Sequence, residues 1–115
     1  MKKEIKSILG ENISVKSGVS VPVAHLRYKG SSKTFVVWTI LSEKPVLSGD
    51  DEQLFSVVSV DIDVYSIGNY DEVITEIKRL MKENGWLWVE DSAEMYEEDT
   101  SLYHTTITFE KERSL

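Results

Sequence analysis

The chain has 115 residues, 41% of them apolar, which suits a single domain over residues 1–115 with a real hydrophobic core. It contains no cysteine, so disulfides, thiolate metal sites and cysteine nucleophiles are excluded. Thirteen basic residues stand against twenty acidic ones, a net charge of −7, and the bases look scattered along the chain, which argues against holding nucleic acid by its phosphates.

Residues 2–9 predict a short helix, with Ile5, Ile8 and Leu9 on one side and Gly10 and Asn12 ending it. Residues 13–33 read poorly: Pro22 argues for an edge strand or an irregular segment, and Val23 to Tyr28 has the character of a strand. Phe35 to Leu41, rich in β-branched and aromatic residues, predicts a buried strand. Pro45, Gly49 and the acids Asp50, Asp51 and Glu52 predict a solvated loop over 43–53. From Phe55 to Tyr65, apolar Val58, Val60, Ile62 and Val64 alternate with Ser59, Asp61 and Asp63, which gives a strand with one dry face and one wet face.

Asn69 followed by Glu72 predicts a capping box at the head of a helix. Val73, Ile74, Ile77, Leu80 and Met81 then keep the helical period, Lys78, Arg79 and Lys82 sit toward its end, and Gly85 is placed to cap it. Trp86 to Val89 predicts a short strand with Trp86 and Trp88 on the same face, and the acid-rich run to Thr100 predicts a loop. Tyr103 to Glu110 alternates again, as a final strand. The expected fold is α/β of the α+β kind: an antiparallel or mixed sheet of four to five strands with two helices, the longer one (about 70–84) packed on one face.

Few constellations point to chemistry. Asp61 and Asp63 share a strand face roughly 6.5–7 Å apart, a spacing open to acid–base work or a divalent cation, but the plainer reading is a solvent-facing strand. The acids from Glu90 to Asp99 lack the spacing and central glycine of an EF-hand. His25 and His104 form no metal-ligand spacing, no serine lies in a Gly-x-Ser-x-Gly elbow, and the glycines form no phosphate loop. No enzyme, cofactor or metal is expected, although a small ligand- or metal-binding module using Asp61, Asp63 and His104 stands as the alternative. Trp38 is expected in the core, and Trp86 and Trp88 either in the core or at a protein interface. No run approaches the 18–20 or so apolar residues that span a membrane, and Met1 to Ile5 leads into no long apolar stretch. The cytoplasm is the expected compartment.

The run Val60 to Tyr70 leads straight into a helix ending Leu80-Met81-Lys82-Glu83-Asn84-Gly85-Trp86, and Glu98 to Phe109 follows later with a Tyr103-His104 strand. Over about residues 34–111 this resembles the small tail completion proteins of siphophages and Gram-positive prophages, also described as tail terminator or tail-to-head joining proteins. The resemblance implies a structural subunit that assembles with itself as a ring, typically a hexamer, on the end of the tail tube. Its partners would be the tail tube protein and the head–tail connector proteins; a connector subunit of the same machine is the neighbouring possibility. Its place would be the cytoplasm during assembly and then the virion tail. The family has no catalytic residues to carry over. A closed ring needs two different patches on each subunit. Strand edges and the loops at 43–53 and 91–100 are the candidates, with Lys44, Asp50, Asp51, Trp86, Trp88, Glu97 and Asp99 as interface residues. A negative surface would also suit a channel through which DNA slides.

Overall fold

A computed structural model describes residues 1–47 and 53–114. Helix α1 spans Lys2–Leu9 and buries Ile5 and Leu9, one turn apart. It stops at Gly10, whose N–H donates to the Lys6 carbonyl at 2.8 Å. Strands β1 (Asn12–Ser14) and β2 (Ser20–His25) then form a small antiparallel hairpin, with buried Ile13 opposite buried Val21. Past Pro22, β2 leaves β1 and runs parallel to β3 (Thr34–Leu47), with Val23 opposite Val36 and His25 opposite Trp38. Strands β3 and β4 (Gln53–Ser66) are the long arms of an antiparallel pair. Helix α2 (Asp71–Glu83) crosses over to β5 (Leu87–Asp91) and β6 (Met95–Glu97). Both pair antiparallel with β7 (Leu102–Ser114), which on its other side pairs with β4 along its length. The spatial order is β1-β2-β3-β4-β7-β5, with β6 continuing the β5 side of β7.

Both helices cover one face of this sheet. The period-two alternation of β4 sends Val58, Val60, Ile62 and Val64 under them, where they meet Val36, Trp38, Ile107 and Phe109 from the neighbouring strands and Ile5, Leu9, Val73, Ile77 and Met81 from the helices. Burying each such side chain stabilises the fold by about 1.5–3 kcal/mol. The residues between them, Ser59, Asp61, Asp63 and Tyr65, face the other way, onto a surface that no helix covers.

The sheet is larger than the four to five strands expected: among the described residues it has seven, and strand dominates over helix. Three readings account for the difference. The irregular segment around Pro22 holds β1 and β2, because Pro22 needs no N–H there and the next donor, Val23, reaches the Glu11 carbonyl at 2.8 Å. The expected loop over 43–53 is strand up to Leu47 and again from Gln53. Pro45 is tolerated because β2 pairs only with residues 36–38 of β3, so its missing donor meets a free edge. The acid-rich stretch after Val89 stays in strand to Asp91 and forms β6 at 95–97, since an edge strand leaves its charges in water.

The ends of α2 split the same way. The capping box does not form: the helix begins at Asp71, and Asn69 Oδ1 instead accepts the Asp71 N–H at 2.8 Å in a local turn. Its C-terminus is a Schellman motif. The Gly85 N–H donates to the Lys82 carbonyl (3.1 Å) and the Trp86 N–H to the Met81 carbonyl (3.0 Å), with Gly85 at φ 84°. That turn drives the Trp86 ring into the core beside Met81.

Candidate functional site

On the uncovered face the polar side chains pair across strands. Asp63 Oδ1 accepts from His104 Nε2 (2.8 Å) and Thr106 Oγ1 (2.5 Å), Asp61 Oδ1 from Thr108 Oγ1 (2.7 Å), and Glu110 Oε2 from Ser59 Oγ (3.1 Å). The register sets this, with Asp61 opposite Thr108 and Asp63 opposite Thr106. The structure therefore does bring Asp63 to His104, while each carboxylate is engaged by its strand neighbour rather than aimed at a shared point. Five surface concavities of about 230 to 480 Å³ lie elsewhere, and Asp61, Asp63 and His104 line none of them. Among the described residues no cluster of three or more His, Cys, Asp or Glu side chains is placed to hold a metal ion.

An aromatic ladder crosses the same face. Tyr28, Phe35, Tyr65 and His104 stack in sequence with ring centroids 4.3, 4.8 and 4.1 Å apart. The faces of Phe35 and Tyr65 are thus covered by their neighbours, so these two rings offer no platform for a base or a sugar. Burial first, then the nearby Asp63 and Glu97 charges, pushes the Tyr65 hydroxyl above its ordinary pKa. Gly30 is needed beside the ladder: a Cβ there would overlap the Tyr28 ring. His104 Nδ1 is buried without a hydrogen bond among the described residues, and Glu97 Oε2 lies 3.9 Å from it.

The free edge is of a different character. Every residue of β5 is exposed, including Leu87 (67%), Trp88 (52%) and Val89 (46%), and Met95 and Tyr96 of β6 are exposed on the same side of β7. The outer side of β5 has no strand partner among the described residues, and a bulge between Trp88 and Glu90 is its one irregularity. Edge strands are ordinarily blunted by lysine, proline or a cover. Here three consecutive large apolar residues stand open, followed by Glu90, Asp91, Glu94, Glu97, Glu98 and Asp99. Trp88 is held in place: the Lys78 ammonium sits 4.0 Å above its ring, and its Nε1 donates to Asp91 Oδ1 at 2.9 Å.

Of the residues expected in the core or at an interface, Trp86 is in the core: it is 4% exposed, and its Nε1 donates to Glu4 Oε2 at 3.1 Å. It does share a face with Trp88, which stands opposite Phe109, and both rings line one concavity with Lys78 and Lys82 of α2. Trp88 is exposed at the edge. Lys44 is exposed on β3 rather than in a loop. Glu97 is half-buried in β6 and accepts from Thr100 Oγ1 at 3.3 Å, and Asp99 is exposed in the turn before β7. Asp50 and Asp51 lie outside the described residues. Leu87, Val89, Met95 and Tyr96 were not singled out by the sequence; their signal is an apolar run too short for two buried faces, followed at once by acids. Among the described residues no helix is long and apolar enough to cross a membrane. No family model matches the chain, and no curated protein matches it.

Proposed function

We propose that this chain is a structural assembly subunit, not an enzyme, which joins copies of itself into a ring on the end of a phage tail tube and couples tail to head. The observation that carries the self-assembly is the open β5 edge, where Leu87, Trp88 and Val89 stand exposed beside backbone groups that have no strand partner among the described residues. Such an edge is a template for another strand. The dispersed polar pairs of the uncovered face, each carboxylate already bonded to a neighbouring hydroxyl or imidazole, support a non-catalytic reading. Assignment to a tail ring rests on the resemblance over residues 34–111, and the tail tube protein and the connector are its proposed partners. Light scattering over a concentration series tests the self-assembly. A discrete species of about six subunits is expected, and a monomer at every concentration that also fails to bind purified tail tubes would overturn the reading.

A further inference from the structure

Resting on that reading, we infer that the subunits dock head to tail, the acidic β5/β6 edge of one copy against the basic β1/β2 edge of a second copy. The acidic edge carries six carboxylates between Glu90 and Asp99 and no base. Lys78 of α2 neutralises one of them, bonding Asp91 at 2.9 Å. The opposite side of the sheet carries the β1/β2 hairpin and the connection to β3, which hold Lys16, Arg27, Lys29 and Lys33 against only Glu11; Lys2, Lys3 and Lys6 lie on α1, over the covered face, where Glu4 reaches Trp86 and Lys111. Four of the thirteen bases are thus brought to this side of the sheet.

The placement of these charges is specific. The connection from β2 to β3 stays on the β2 side of the sheet: the Leu26 N–H donates to the Trp38 carbonyl at 2.9 Å, and Tyr28 stacks on Phe35 from the side away from β4. Lys2 and Lys6 of α1 come near enough to His25 of β2 to help hold its pKa below the ordinary value, after burial itself. None of the seven bases takes part in an ion pair among the described residues; the lysines and arginines that do are Lys78, Arg79, Lys111 and Arg113. Both edges also carry exposed apolar side chains, Leu87 and Val89 on one and Leu26 and Val19 on the other.

These features choose between symmetries. Two β5/β6 edges facing each other across a two-fold axis would oppose acids to acids, and two basic edges would oppose bases to bases. Acidic edge against basic edge pairs unlike charges and leaves one free edge of each kind, the contact from which rings close. The chain's overall negative charge offers no such selection; the separation of the charge between two sheet edges does.

The test is a mixing experiment on the full chain. One variant, Val89→Lys with Glu98→Lys, spoils the acidic edge; a second, Arg27→Glu with Lys29→Glu, spoils the basic edge. All four side chains are exposed, so both variants should melt near the wild type. If the first does not fold, Glu90→Lys with Glu98→Lys replaces it. Each variant alone should be monomeric by light scattering where the wild type assembles. Equimolar mixing should restore a species containing both in equal amounts, and raising the salt from about 0.05 to about 0.5 M should weaken it. If the wild type assembles but the Arg27→Glu/Lys29→Glu variant assembles equally well alone, or the mixture stays monomeric, this docking is overturned while the assembly reading survives. A wild type that never assembles overturns both.

Discussion

Trp86 and Trp88 stand two residues apart and should lose very different amounts of stability on truncation. Trp86 is 4% exposed, packs among core residues of α1, α2 and the sheet, and donates to Glu4. Replacing it with alanine removes a nearly full aromatic burial and opens a cavity, which costs about 3–5 kcal/mol. At this chain length that corresponds to roughly 12–20 °C in melting temperature. Trp86→Phe keeps most of the packing and loses the bond to a charged acceptor. Because Glu4 retains Lys111 at 2.7 Å, the expected cost is about 1–2 kcal/mol. Trp88 is 52% exposed, and removing it forfeits chiefly the contact with Lys78, about 0.5–1 kcal/mol. Urea unfolding followed by far-ultraviolet circular dichroism, at a dilution where the protein is monomeric, separates these costs from any effect on association. Equal costs for Trp86→Ala and Trp88→Ala, or a larger cost at Trp88, would refute the placement of the two rings.

Three further outcomes follow from single contacts. Gly85→Ala places a Cβ at φ 84° in the cap of α2 and should destabilise by about 1–2 kcal/mol, read as a lower urea midpoint with an unchanged slope. Burial alone would raise the Glu4 pKa, but the bonds from Lys111 and Trp86 Nε1, with the Lys111 and N-terminal charges, together outweigh it and hold the carboxyl below its unfolded value of 4.5. Its contribution is therefore complete above pH 4.5 and disappears as the pH falls through the lower folded value, so Glu4→Gln should flatten the acid limb of a stability–pH curve. Asp63→Asn replaces an acceptor of two hydrogen bonds with a group that accepts less strongly, and should cost about 1–3 kcal/mol in unfolding free energy; no loss would show that His104 and Thr106 do not depend on it.

Legibility followed the length over which a pattern is held. The alternation from Phe55 to Tyr65 and the helical period from Val73 to Met81 each repeat enough times to fix which face is buried, and the structure buries those faces. Gly85 as a cap was readable because a left-handed residue there strongly favours glycine. The capping box failed because Asn69 satisfied a nearer donor. The strand count failed where β-structure carries the wrong composition: Pro22 sits where β2 passes from β1 to β3, and Pro45 and Lys44 of β3 and the carboxylates of β5 and β6 sit on free or wet edges, where neither a missing donor nor a charge is penalised. Trp86 and Trp88 do lie on one face, but the turn at the end of α2 carries Trp86 into the core while Trp88, further out on the edge strand, stays half exposed. The Asp63–His104 bond joins residues 41 apart in sequence, and only the β4–β7 register brings them together.

The central claim, that a second copy covers the β5 edge, is tested most directly by amide hydrogen exchange of Leu87 to Asp91 in dilute and in concentrated protein. The outward-facing amides of β5 are predicted to exchange freely in the monomer and to become protected, together with the amides near Leu26, as the assembly forms. Exchange at β5 that stays equally fast in the assembled protein would contradict the account.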